Sequence, residues 1–151
     1  MRRVLALLLL LGLPFVSEAA TTARIVKVLP HLLDKQGRHA LSPSLYERDA
    51  YQSVLRANPE LCSGLRFDVQ WRGTGLSKKN LRMKVEIRAG ASSLGQPVVI
   101  EQPVKPNGIL GYWAAVTLDG EAYQKAGKIV AWRVTLWDGD TQLAEQKSFL
   151  W

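Results

Sequence analysis

One cysteine, Cys62, stands in the whole chain, so no disulfide can form within it. A small domain without that staple must be held by apolar burial, and 47% hydrophobic residues over 151 positions make one core feasible. Cys62 reads first as a buried or half-buried thiol, with an intermolecular bond or a reactive group as the alternative. Only two histidines occur, His31 and His39, and their separation in a loop-like setting is not a metal spacing. Also missing are a G-x-S-x-G elbow, an H-E-x-x-H helix, a glycine-rich phosphate loop and a calcium loop. Glu101, Glu121 and Glu145 stand isolated, and Asp138-Gly139-Asp140 offers too few oxygens for calcium. No catalytic residue, metal or cofactor is therefore assigned. The formal net charge is +7, yet no basic run exceeds Lys78-Lys79, so a nucleic-acid groove is not expected. Such a surplus favours acidic surfaces, such as anionic polysaccharide or lipid head groups.

Long apolar runs are also scarce. The one at Val4 to Leu13 follows Arg2-Arg3 and precedes the small residues of Ser17-Glu18-Ala19, which is the layout of a signal peptide cleaved after Ala19. It falls short of the roughly 20 apolar residues a spanning helix needs, and no later segment approaches that length, so no transmembrane anchor is expected. The expectation is a signal peptide over 1–19 and one domain over 20–151, secreted or periplasmic.

What is present is alternation. Val130, Trp132, Val134 and Leu136 alternate with Ala131, Arg133, Thr135 and Trp137, and Asp138-Gly139-Asp140 turns this strand into a second one, a hairpin around which the rest is organised. Leu65, Phe67, Val69 and Trp71 alternate with Arg66, Asp68, Gln70 and Arg72. Leu81, Met83, Val85 and Ile87 alternate with Arg82, Lys84, Glu86 and Arg88. One dry face and one wet face per strand is the habit of antiparallel sheets. Ala23 to Leu33 reads as a strand held at an edge by Pro30, Val98 to Gln102 as a short strand closed by Pro103, and Leu110 to Leu118 as a returning strand. Pro106-Asn107-Gly108 predicts a turn, and Gly120 to Gly127 one helical turn capped by Asp119.

One helix is expected at about 43–57, opened by Ser42-Pro43-Ser44 with Ser44-x-x-Glu47 as a capping box and stopped before Asn58-Pro59. Its Tyr46, Ala50, Val54 and Leu55 stripe is predicted to dock on the sheet. The fold class is thus all-β, a seven-stranded antiparallel two-sheet sandwich with one inserted α-helix. This layout, from about Ala23 to Trp151 less the insert, resembles the immunoglobulin and fibronectin type III architecture. The resemblance implies a fold and, as a class tendency, binding or adhesion.

Aromatic and basic residues supply the candidate ligand-binding set. Trp71 and Trp132 fall on core parity, whereas Trp113 and Trp137 fall on the opposite parity and form either an exposed patch or a second small core beneath the helix. Arg66, Arg82 and Arg88 add positive charge on the wet faces. The expected function is an exported, non-catalytic binding or interaction module, with a protein or a polysaccharide of the cell envelope as partner. A carbohydrate-active or other hydrolytic enzyme with a loop-assembled site is one alternative, and an accessory subunit joined by edge-strand addition is the other.

Overall fold

The structure is a computed structural model that describes residues 21–76, 80–90, 96–106 and 111–151. The expected signal peptide, the Asn107-Gly108 pair of the predicted turn and the middle of the 89–97 connection lie outside the described residues.

Period-two patterning does what it should: β2 (Cys62–Thr74) and β3 (Leu81–Ala89) bury every apolar residue of the predicted parity, from Leu65 to Trp71 and from Leu81 to Ile87. β1 (Thr22–Asp34) and β5 (Tyr112–Asp119) flank β2 in a three-stranded sheet of order β1-β2-β5. β4 (Val98–Pro103), β6 (Ile129–Asp138) and β7 (Thr141–Lys147) complete a four-stranded sheet of order β4-β3-β6-β7. Every neighbouring pair is antiparallel. One core joins both sheets, with Phe67, Val69, Trp71 and Val116 from the first against Met83, Val85, Ile87, Val134 and Leu136 from the second. Each such fully buried side chain contributes about 1.5–3 kcal/mol. The β6–β7 reversal falls at Gly139, whose φ of +56° suits a residue without a Cβ.

Val130 departs from its expected place in the core and is 48% exposed. Arg88 pairs with Ala131 but Ala89 pairs with Ile129, so Val130 is the extra residue of a bulge. The bulge shifts parity by one, and Ile129 packs on the core instead.

The insert is helical over α1 (Leu45–Ala57), with Ser44 as N-cap accepting from the Glu47 N–H at 3.4 Å. The return half of the expected capping box is absent, because the Glu47 carboxylate accepts from the Ser42 hydroxyl instead. A second helix, α2 (Gly120–Ala126), follows β5; Asp119 precedes it without a side-chain capping bond, and Gly127 at φ +71° stops it.

The docking face of α1 is turned from the predicted stripe, of which only Leu55 is buried as expected. Tyr46 is 84% exposed and Val54 47% exposed, while the buried residues are Gln52 and Leu55. Gln52 explains the rotation. Its carboxamide accepts from the Leu32 N–H at 2.8 Å and donates to the carbonyls of Leu32 at 2.9 Å and His39 at 2.8 Å. β1 is an edge strand, and Gln52 completes backbone groups there that no alkyl stripe could. Leaving such groups buried and unpaired costs about 1–3 kcal/mol each, enough to outweigh the exposure of a few apolar side chains. The same edge lacks a donor at Pro30 and is bulged between Ile25 and Lys27. Across the molecule, the Gln102 carboxamide donates to Ala115 O at 2.7 Å, tying edge strand β4 to edge strand β5. Gln52→Leu is expected to lower stability by about 1–3 kcal/mol in urea titration despite its similar volume; an unchanged midpoint would refute the clip.

Candidate functional site

The site is built on the outer face of the three-stranded sheet, at the end where β1 begins, β2 finishes and β5 begins. Residues directly opposite one another on antiparallel strands share a face. Ile25, Trp71 and Tyr112 therefore point together toward the core, and the Trp71 and Tyr112 rings lie 4.6 Å apart. Their neighbours point the other way. Arg24 stands directly opposite Arg72, and the strand beyond Arg72 passes at Gly111, just ahead of the Trp71–Tyr112 pair. A Cβ on Gly111 would approach Arg72 Nε to 3.3 Å, so the missing side chain is what lets this arginine lie over β5.

Thr22, Ala23, Arg24, Arg72, Gly73, Thr74, Gly111 and Tyr112 line an open cleft of about 510 Å³. Like charges directly opposite on adjacent strands are destabilising. No carboxylate among the described residues lies within ion-pair distance of either guanidinium, whereas the sheet's next outward arginine, Arg66, reaches Asp68 at 2.7 Å. Two further residues along β5 from Gly111, opposite Gln70, comes Trp113, 43% exposed on the same outer face.

The residues singled out in the sequence divide between two surfaces. Arg66 and Trp113 lie on the outer face of the three-stranded sheet, Arg82, Arg88 and Trp137 on that of the four-stranded sheet. Trp113 and Trp137 thus form neither a joint patch nor a small core under α1, which seats on β1. Parity along a single strand could not show which sheet each strand would join. Arg82 is engaged by Glu101 at 2.6 Å and by Gly139 O at 2.5 Å, and the Trp137 indole N–H donates to Thr135 Oγ1 at 2.9 Å. The Arg88 and Arg133 guanidinia stack on the Trp151 ring at 4.2 and 4.8 Å. Arg133 also pairs with Glu86 at 2.8 Å, so Arg82 and Arg133 on this second surface already have carboxylate partners. Sequence reasoning placed Arg72 on a wet face but attached no role to it, and did not single out Arg24. Their juxtaposition is a matter of register between strands that are far apart in the chain.

Under the insert lies a polar knot. Burial pushes the Asp34 carboxyl up, but hydrogen bonds from the Tyr51 hydroxyl at 2.7 Å, the Arg38 N–H at 2.8 Å, Arg38 Nε at 2.8 Å and the Gln36 N–H at 2.9 Å outweigh it and hold the pKa at about 2. Burial lowers the pKa of His31, opposed by Asp68, whose Oδ2 lies 3.7 Å from His31 Nε2, and reinforced by His39, Arg48 and Arg66. Cys62 is buried, with its thiol donating to Leu55 O at 3.4 Å. Burial pushes its pKa up, which makes it a packing thiol and a poor nucleophile. No group of three or more His, Cys, Asp or Glu side chains suited to a metal ion occurs among the described residues.

No family model, curated protein or solved structure matches this chain.

Proposed function

We propose that this chain is an exported, non-catalytic binding module that takes an anionic ligand on the open end of its three-stranded sheet. The observation that carries the reading is the Arg24–Arg72 pair: two arginines in register on β1 and β2 that line one cleft and have no carboxylate in ion-pair distance among the described residues, so that an anion there would meet unneutralised cations. A guanidinium presents a planar fork of donors matched to carboxylate, sulfate or phosphate oxygens. The strand orders β1-β2-β5 and β4-β3-β6-β7 support an immunoglobulin or fibronectin type III-like reading of the sandwich. On that reading the cleft sits at one end of the two-sheet sandwich, where loops and strand ends commonly carry recognition. Secretion or delivery to the periplasm rests on the N-terminal pattern of residues 1–19 and puts envelope components within reach.

Calorimetric titration with sodium sulfate at low ionic strength tests this. Arg24→Gln combined with Arg72→Gln is expected to abolish the binding heat while the unliganded variant melts at the wild-type temperature, because neither arginine has an ion pair to lose among the described residues. Wild-type titration curves for the double variant would sink the reading.

A further inference from the structure

We infer that α1 is a dimerisation helix: its outward apolar face pairs, antiparallel and about a two-fold axis, with the same face of a second copy of this chain. The dimer stands independently of what the cleft binds. Its first support is an exposure that the fold holds in place. Tyr46, Ala50, Ser53 and Ala57 recur three and four residues apart, so they run in one line along the helix, with Val54 beside it. All five are exposed, Leu45 is 67% exposed in the first turn, and Leu41 and Leu61 stand exposed just before and just after the helix. A roll that buried them would break the opposite side. There Gln52 is held by three hydrogen bonds to the backbone of Leu32 and His39, and the Tyr51 hydroxyl donates to Asp34 at 2.7 Å. An apolar face fixed outward in this way is the mark of an interaction surface.

Charge placement selects the occupant. Asp49 and Arg56 border the line on the same side, seven residues and therefore about 10 Å apart along the axis. Antiparallel pairing about an axis between Gln52 and Ser53 sets each Asp49 level with Arg56 of the second copy, twice over by symmetry. Parallel pairing would set like charges side by side. The Asp49 side chain is 70% exposed despite its contact with Arg48 at 3.1 Å, and Arg56 has no carboxylate within ion-pair distance among the described residues. The same pairing turns Tyr46 toward the small-residue end at Ala57 of the second copy, a knob facing a shallow hole. A lipid surface fits less well. Glu47, Arg48, Asp49 and Arg56 leave the helix without net charge, whereas helices that lie on anionic membranes carry Lys and Arg along their polar face. Size sets the strength: two helices of 13 residues, about 20 Å long, bury less than the roughly 1,200 Å² at which stable interfaces begin. The dimer is therefore weak and reversible, with a Kd between about 10 μM and 1 mM.

Sedimentation velocity of the protein from about 5 μM to 1 mM is the test, and the weight-average mass is expected to rise from one chain toward two across that range. Tyr46→Glu and Val54→Glu, both at exposed positions, should weaken association about tenfold or more while melting like wild type. Asp49→Arg and Arg56→Asp should each weaken it about fivefold, and the two variants mixed in equal amounts should associate like wild type, because the mixed dimer regains both ion pairs. If a glutamate variant melts lower, the mixture still decides, since it adds no charge to the apolar line. A chain that stays monomeric to about 1 mM overturns the inference. So does association that Tyr46→Glu and Val54→Glu leave unchanged, or a mixture of the two charge variants that associates no better than either alone. If the protein stays monomeric and instead co-sediments with phosphatidylglycerol vesicles unless Tyr46 is replaced by glutamate, the face is a lipid contact and the second copy falls.

Discussion

Asp34→Ala is expected to cost about 3 kcal/mol of stability and to loosen the helical insert from β1. The carboxylate is buried and accepts four hydrogen bonds, from two backbone N–H groups of the turn, one guanidinium and one phenol, so it joins the end of β1, the following turn and α1 in one contact. Alanine would leave those donors without their acceptor. The sign of the pH effect follows from the pKa. Asp34 is held at about 2 against an ordinary 3.8, so its contribution is complete above 3.8 and is lost as the pH falls through about 2. The stability gap between wild type and Asp34→Ala should narrow over that interval; a gap as wide at pH 2 as at pH 5 refutes the knot. His31 acts earlier. Its folded pKa lies below the ordinary 6.5, so the unfolded chain binds the extra proton first, and stability declines as the pH drops below 6.5. Equilibrium denaturation across pH 7 to 2 (about three steps per unit) reads both phases. Hydrogen exchange at the Leu32 amide, which Gln52 protects, reports whether the insert lets go before the sheets do.

Phe67→Ala should destabilise the protein by about 3–5 kcal/mol. Phe67 is fully buried at the middle of β2, the central strand of its sheet, and meets the Trp132 ring edge-on with centroids 6.1 Å apart and planes at 67°. No disulfide crosses the core, so its stability is apolar burial and sheet pairing, and a cavity between the two layers removes contacts from both. Urea titration with an unaltered slope should show the whole loss as a shift of midpoint. A loss under 1 kcal/mol would mean that the sheets close over the gap, and that the two-layer core is softer than its packing indicates.

Much of this architecture was legible in alternation alone, because a strand with one buried face must write its parity into the chain. Leu65 to Trp71 and Leu81 to Ile87 are buried to the last predicted residue, and the glycine at 139 falls where a tight reversal needs it. The misreadings share one cause. Tyr46, Ala50 and Val54 form a genuine helical stripe, but local patterning says only that a helix has an apolar side, and β1 called instead for Gln52 to satisfy its edge. Val130 obeyed the alternation until a bulge displaced it. Trp113 and Trp137 were rightly placed off the core parity of their strands, yet the strands joined different sheets and turned them to opposite surfaces.

The sequence by itself determined which residues form strands, which side of the clearly alternating ones is dry, where the helix ends, and that one unstapled core must hold the chain together. Those properties are periodic or local, and a few neighbouring residues suffice to encode them. Only the tertiary structure decided that Arg24 faces Arg72, that Gly111 clears the space above β5, and that Trp113 stands beside them. These three strands are separated by long stretches of chain, and the site exists only in the register at which hydrogen bonding and core packing bring them side by side.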